Sequence, residues 1–167
     1  MQKQILRIVV LFVIGVSGRL LPHPPNFTPL EAVSLFGGAW IRPFWLSLTI
    51  PLGIMAMSDA LLGWHNLWPF TWGAMAIGTI LGRFFLVTSQ IFSLAGLALL
   101  QSTLFFLITN FGVWIGGSYG YTFKGLIACY IAAIPFYHYQ ALGALFYSIL
   151  FWMAEYVVYR KLSPIIK

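Results

Sequence analysis

The sequence predicts an all-α fold, a polytopic membrane bundle of about six transmembrane helices. Three observations carry that expectation. Of 167 residues, 60% are hydrophobic and only 7% charged, against roughly 25% charged in a soluble domain, so these charges cannot coat a water-facing surface. The 18% aromatic content excludes a disordered chain, which is polar and poor in rings. The apolar residues also fall into runs punctuated by Pro, Gly and single charges. At roughly 20 residues per span the length suffices for about six crossings. The whole chain, 1–167, reads as one integral membrane domain.

The first helix is expected over 5–21 and is stopped by Pro22-His23-Pro24-Pro25, which cannot continue it. Lys3 and Arg7 before an apolar run have the shape of a signal peptide, but no small-x-small cleavage site follows, so the run is taken as a membrane helix. A short second helix begins near Thr28-Pro29, with Thr28 as N-cap and Glu31 favoured by the positive helix end, and finishes near Ile41. Arg42-Pro43 separates it from a third helix over 44–62. After the loop 63–69, a fourth helix takes 70–88 and a fifth 91–108. A glycine- and aromatic-rich loop is expected over 109–121, then an apolar stretch over 123–133 stopped by Pro135, and a last helix over 140–159. If 123–133 is a partial or re-entrant element, six spans remain.

Charge sets the orientation. Crossing at each of the first five helices places Lys3, Arg7, Arg42 and Arg83 on one side, and the tail with Arg160, Lys161 and Lys167 joins them when six spans are counted. The positive-inside rule makes that side cytoplasmic, with both termini in the cytoplasm. The net charge of +6 is scattered, so nucleic acid is not an expected partner; membrane lipid is. The single Cys129 excludes an internal disulfide and any multi-cysteine metal site.

Three loops then share the outer side, 22–28, 63–69 and 109–122, and they hold Asn26, Trp64, Asn66, Asn110 and Trp114. Interfacial Trp commonly anchors helices, and Asn turns chains for local reasons. Together, however, they supply the ring faces and amides that orient a planar ligand in an apolar pocket. Arg19, Glu31 and Asp59 come to similar depth below these loops. Either Arg19 pairs with Asp59 or Glu31 to lock the bundle, or one of these charges is left to hold a polar solute. Arg83 is explained by snorkelling and Glu155 by nearby Arg160. His23, His65 and a carboxylate lack metal-ligand spacing, and no metal or cofactor is expected. No GxSxG, Walker, HExxH, CxxC or GxGxxG pattern occurs, so the chain reads as non-enzymatic. The pairs Ala74 with Gly78 and Ala128 with Ala132 suit close helix packing, internally or against another subunit.

The stretch Arg19-Leu-Leu-Pro-His-Pro-Pro-Asn-Phe-Thr-Pro-Leu-Glu-Ala, with Leu35-Phe-Gly-Gly-Ala39, resembles an uncharacterised bacterial inner-membrane family described as transport proteins. So do Pro51-Leu52 with Ser58-Asp59, Leu104-Phe-Phe-Leu-Ile-Thr-Asn-Phe-Gly-Val-Trp114, and Gly125-Leu-Ile-Ala-Cys-Tyr130 with Ile134-Pro-Phe136. That family is similar to the substrate-binding S components of energy-coupling-factor transporters. The resemblance implies an S-component-like bundle in the inner membrane that binds a vitamin-like solute from outside and works with a transmembrane coupling subunit and two ATPases. Where S components often carry an A-x-x-x-A contact motif in helix 1, this chain has Gly15 and Gly18. The expected function is therefore capture of a small organic solute for uptake. Asn26, Glu31, Asp59, Trp64, Asn66, Asn110 and Trp114 would contact it, with Arg19 as counter-ion. A homo-oligomeric channel working without an ATPase and a ligand-free assembly protein are the alternatives.

Overall fold

In the computed structural model, which describes residues 2–86 and 90–157, the chain is all-helical, with six helices and no strand among the described residues. They are α1 (Gln2–Leu20), α2 (Leu30–Trp40), α3 (Phe44–Leu62), α4 (Trp68–Phe85), α5 (Ile91–Ile115) and α6 (Phe123–Glu155). By length and composition, α3 and α5 could each cross a membrane. The expected end of the last helix and the tail with Arg160, Lys161 and Lys167 lie outside the described residues, as does the expected end of the fourth helix at 88.

The centre of the fold is its shortest element. The 11 residues of α2 make a rod of about 16 Å, and Leu30 through Gly38 are all buried. All five other helices pack around it. Its closest neighbour is α4. A Cβ on Gly38 would lie 2.0 Å from the Thr79 carbonyl oxygen, and one on Gly82 would lie 1.9 Å from that of Leu35. Only glycine permits this backbone-to-backbone approach. Near the C-terminal end of α2, Phe36, Trp40 and Phe151 meet edge to face, with centroids 4.7 to 6.2 Å apart. Gln101 crosses from α5 and donates to the Ala74 carbonyl at 2.9 Å, which ties α4 to α5 inside the core. Ala74 and Gly78 are therefore spent internally, whereas Ala128 and Ala132 are exposed on α6.

Two boundaries differ from expectation. The segment 123–133 and the last helix are one continuous 33-residue helix, α6, with Pro135 inside it. Proline removes one intrahelical hydrogen bond, but in an apolar setting the surroundings can re-satisfy the freed group and the helix continues. Pro51 sits inside α3 in the same way. The fifth helix runs on past 108 to Ile115, and within it Thr109 and Asn110 turn their side chains onto the carbonyls four residues earlier, each at 2.8 Å. Asn110 and Trp114 are thus helical residues, and the connecting loop shrinks to 116–122. At the start of α2, Pro29 occupies the N-cap and makes no side-chain hydrogen bond, so Thr28 is not the cap.

With six helices alternating in direction, the first and last described residues lie at the same end of the bundle. Arg7 pairs with Glu155 at 2.7 Å there; Arg160, expected beside Glu155, lies outside the described residues. Gln4 donates to the Arg42 carbonyl, and Arg83 donates to that of Ile41 at 3.0 Å while lying over the Phe44 ring. Arg7, Arg42 and Arg83 are thereby brought to one end. The outside of the bundle is apolar: Val13, Leu61, Phe84, Phe92, Ile131 and Leu142 are all exposed.

Candidate functional site

Because α2 is short, the bundle is left hollow above its N-terminus. The connection 21–29 folds back over this space. Asn26 takes a left-handed backbone (φ 62°) to make the turn, and Phe27 packs against Phe146 and Tyr147 with centroids 5.8 Å away. Gly143 of α6 allows the approach, since a Cβ there would stand 3.2 Å from the Phe27 Cα and the Thr28 nitrogen.

Beneath this strap lies a cavity in two lobes. The first, of about 170 Å³, has the first turn of α2 as its floor, with Leu30 and Glu31. Arg19, Met55, Met75 and His65 are among its walls. The second, of about 220 Å³, lies among α4, α5 and α6 and is lined by Phe105, Phe106, Thr109, Asn110, Ala133 and Phe136, together with Leu67 and Val113. Asn26, Thr71, Phe105 and Gln140 border both lobes and mark where they meet. Asn26 is exposed, so it also stands where the cavity reaches the surface.

The three ionisable groups divide unequally. Arg19 Nη1 lies 2.8 Å from Asp59 Oδ1, an ion pair without hydrogen-bond alignment, and 2.9 Å from the Met55 sulfur. The other Asp59 oxygen accepts from Trp72 Nε1 at 2.9 Å and has His65 Nε2 at 3.6 Å. Asp59 is fully buried and lines neither lobe; it holds the wall. Glu31, 2% exposed, has no such arrangement. Its own backbone N–H and the Gln140 side chain reach its carboxyl, yet Oε2 has no hydrogen-bond partner among the described residues. Gln140 is itself fixed by donating to the Ser102 carbonyl at 2.7 Å.

Of the residues expected to meet a solute, Arg19, Asn26, Glu31 and Asn110 line the cavity. Trp64 is exposed and lies against Trp72, centroids 6.0 Å apart, so it touches the Asp59 cluster only at second hand. Asn66 is exposed in the 63–67 connection. Trp114 contacts Phe111 and Tyr121 and lines neither lobe. Gln140, Thr71 and the phenylalanines were missed. Gln140 had a signal, an amide within an apolar helix, but Pro135 made it look like a helix start. Among the described residues no three His, Cys, Asp or Glu side chains come together to hold a metal ion.

Fold and site together define a helical bundle with a polar-floored cavity that opens at Asn26, at the end remote from Arg7, Arg42 and Arg83. The chain belongs to a family of unknown function, DUF6580, whose model matches residues 1–165. No curated protein and no solved structure matches it.

Proposed function

We propose that this chain is a six-span inner-membrane protein that takes a small organic solute into its two-lobed cavity from the outer side and helps carry it inward. The observation that carries this reading is the cavity itself: a roofed space at one end of the bundle, floored by a carboxylate that is 2% exposed. Burying an ionisable group without a partner is costly, and in membrane proteins such groups mark ligand or ion routes. A helix that begins in mid-bundle and points its N-terminus at the site is an arrangement transporters use. The apolar exterior suits lipid, and the arginine-bearing end suits the cytoplasm.

The role assigned is binding and translocation, without chemistry on the solute. The S-component resemblance of the sequence motifs adds a transmembrane coupling subunit and two ATPases as partners; the cavity argument does not depend on them. Native mass spectrometry of the detergent-purified chain with a metabolite panel tests the reading. Retention of a small molecule by the natural chain, and its loss on Ala133→Phe, which fills the second lobe, is the expected result. A chain that retains nothing from the panel overturns it.

A further inference from the structure

We infer that the solute carries a protonated amine, with Glu31 as its counter-ion in the first lobe and a ring-sized apolar body in the second. This rests on the solute-capture reading and narrows it to a chemical class.

Charge gives the first argument. Three ionisable groups serve the first lobe: Arg19 and Glu31 line it, and Asp59 stands behind its wall. Arg19 and Asp59 cancel at 2.8 Å, and Asp59 is further committed to Trp72 with His65 beside it. Glu31 remains: it lines the floor of the lobe, and its buried Oε2 has no hydrogen-bond partner among the described residues. The first turn of a helix favours a carboxylate, which explains why an acid is tolerated there. It does not supply the missing hydrogen bond or neutralise the charge. A neutral solute would leave the carboxylate as it stands. An ammonium supplies both the charge and the N–H donor, and charge-assisted hydrogen bonds of this kind are roughly twice as strong as neutral ones.

Shape gives the second. The neck residues Asn26, Thr71 and Gln140 are polar, but Phe105 beside them and Phe106, Phe136 and Ala133 beyond make the walls of the second lobe largely apolar. At about 220 Å³ this lobe exceeds the roughly 150 Å³ that accommodates a benzene molecule in a protein interior. Its rings can stack on an aromatic body. Thr109 Oγ1 and Asn110 Oδ1 stand there to accept from a ring substituent, their donors being turned onto the α5 carbonyls.

The test is equilibrium binding to the detergent-purified full chain by calorimetry, using benzylamine and, as a neutral probe of the same ring, benzyl alcohol. Benzylamine is expected to bind the natural chain at least tenfold more tightly than benzyl alcohol. Glu31→Gln, nearly the same shape, should remove that difference and leave benzyl alcohol unchanged, while Ala133→Phe blocks both probes. Equal affinity of the two probes for the natural chain, with both still blocked by Ala133→Phe, overturns the amine assignment and leaves the solute site standing. Binding of neither probe, or binding indifferent to Ala133→Phe, overturns both. The comparison of the two probes on the natural chain needs no variant to fold.

Discussion

Asp59 and Glu31 are both buried acids within one region of the bundle, yet substituting them should have opposite effects on stability. Asp59 neutralises Arg19 and accepts from Trp72, so Asp59→Asn strands a cation. Breaking one side of a buried pair costs about 3–5 kcal/mol. A large drop in the thermal midpoint, followed by tryptophan fluorescence in detergent, is the expected outcome. Glu31 has an oxygen that nothing satisfies, so Glu31→Gln should leave that midpoint unchanged or raise it. Equal loss from both substitutions would show that Glu31 is part of the structural lock. The sequence already placed Arg19, Glu31 and Asp59 at one depth, because charges are rare enough in this chain to be followed one by one. Which acid takes the arginine was not legible. That depends on which helix α1 packs against, and nothing in the spacing of the residues encodes it.

Glycine shows how the helices are fitted. Gly82→Ala should destabilise the bundle by about 1–3 kcal/mol, the cost of overpacking, because its Cβ would meet the Leu35 backbone. Gly96→Ala on α5, with nothing within 4 Å of its Cβ, should instead add about 0.5–1 kcal/mol through helix propensity. Denaturant titrations of the two variants should move in opposite directions; a shared direction would mean that the α2–α4 contact is not tight. Prolines complete the account at this scale. Reading Pro51 as tolerated and Pro135 as a stop applied one rule two ways, and the rule that holds is the tolerant one. Pro135→Ala should therefore keep α6 intact and raise stability, seen as a higher denaturant midpoint with unchanged helical circular dichroism. α3 was legible to the residue, and α1 and α2 to within about three residues at each end. The extension of α5 was hidden because Asn110 looks like a turn former until its amide is seen bonded to the Phe106 carbonyl.

For the whole molecule, orientation is the open quantity that experiment reaches most directly. In a Cys129→Ser background, cysteine placed at Asn66 or Tyr121 should react with a membrane-impermeant maleimide on intact cells. Cysteine at Arg42 should react only after permeabilisation, and the reverse pattern would invert the proposed topology. All three native side chains are exposed, so access to the reagent is set by the side of the membrane rather than by burial. Apolar runs suggested six segments and a doubtful seventh, and charge decided for six spans; the described residues hold six helices because the doubtful piece and the last segment are one long helix. The position of α2 was not foreseen, since an 11-residue apolar stretch looks the same at the centre of a bundle as at its edge. In a bilayer its shortness governs how the protein is made. A rod of about 16 Å cannot bridge a hydrocarbon layer of about 30 Å on its own, so α2 has to be threaded in as half of a hairpin with α3 and then wait. Its seat closes when α4 and finally α6, the last of the described helices, settle against it. In a chain cut after residue 115, cysteine at Ser34 should be open to a thiol reagent, and in the full-length chain it should be shielded. Assembly of this bundle would then finish from the inside out, with the most deeply buried helix among the first synthesised and the last to be sealed.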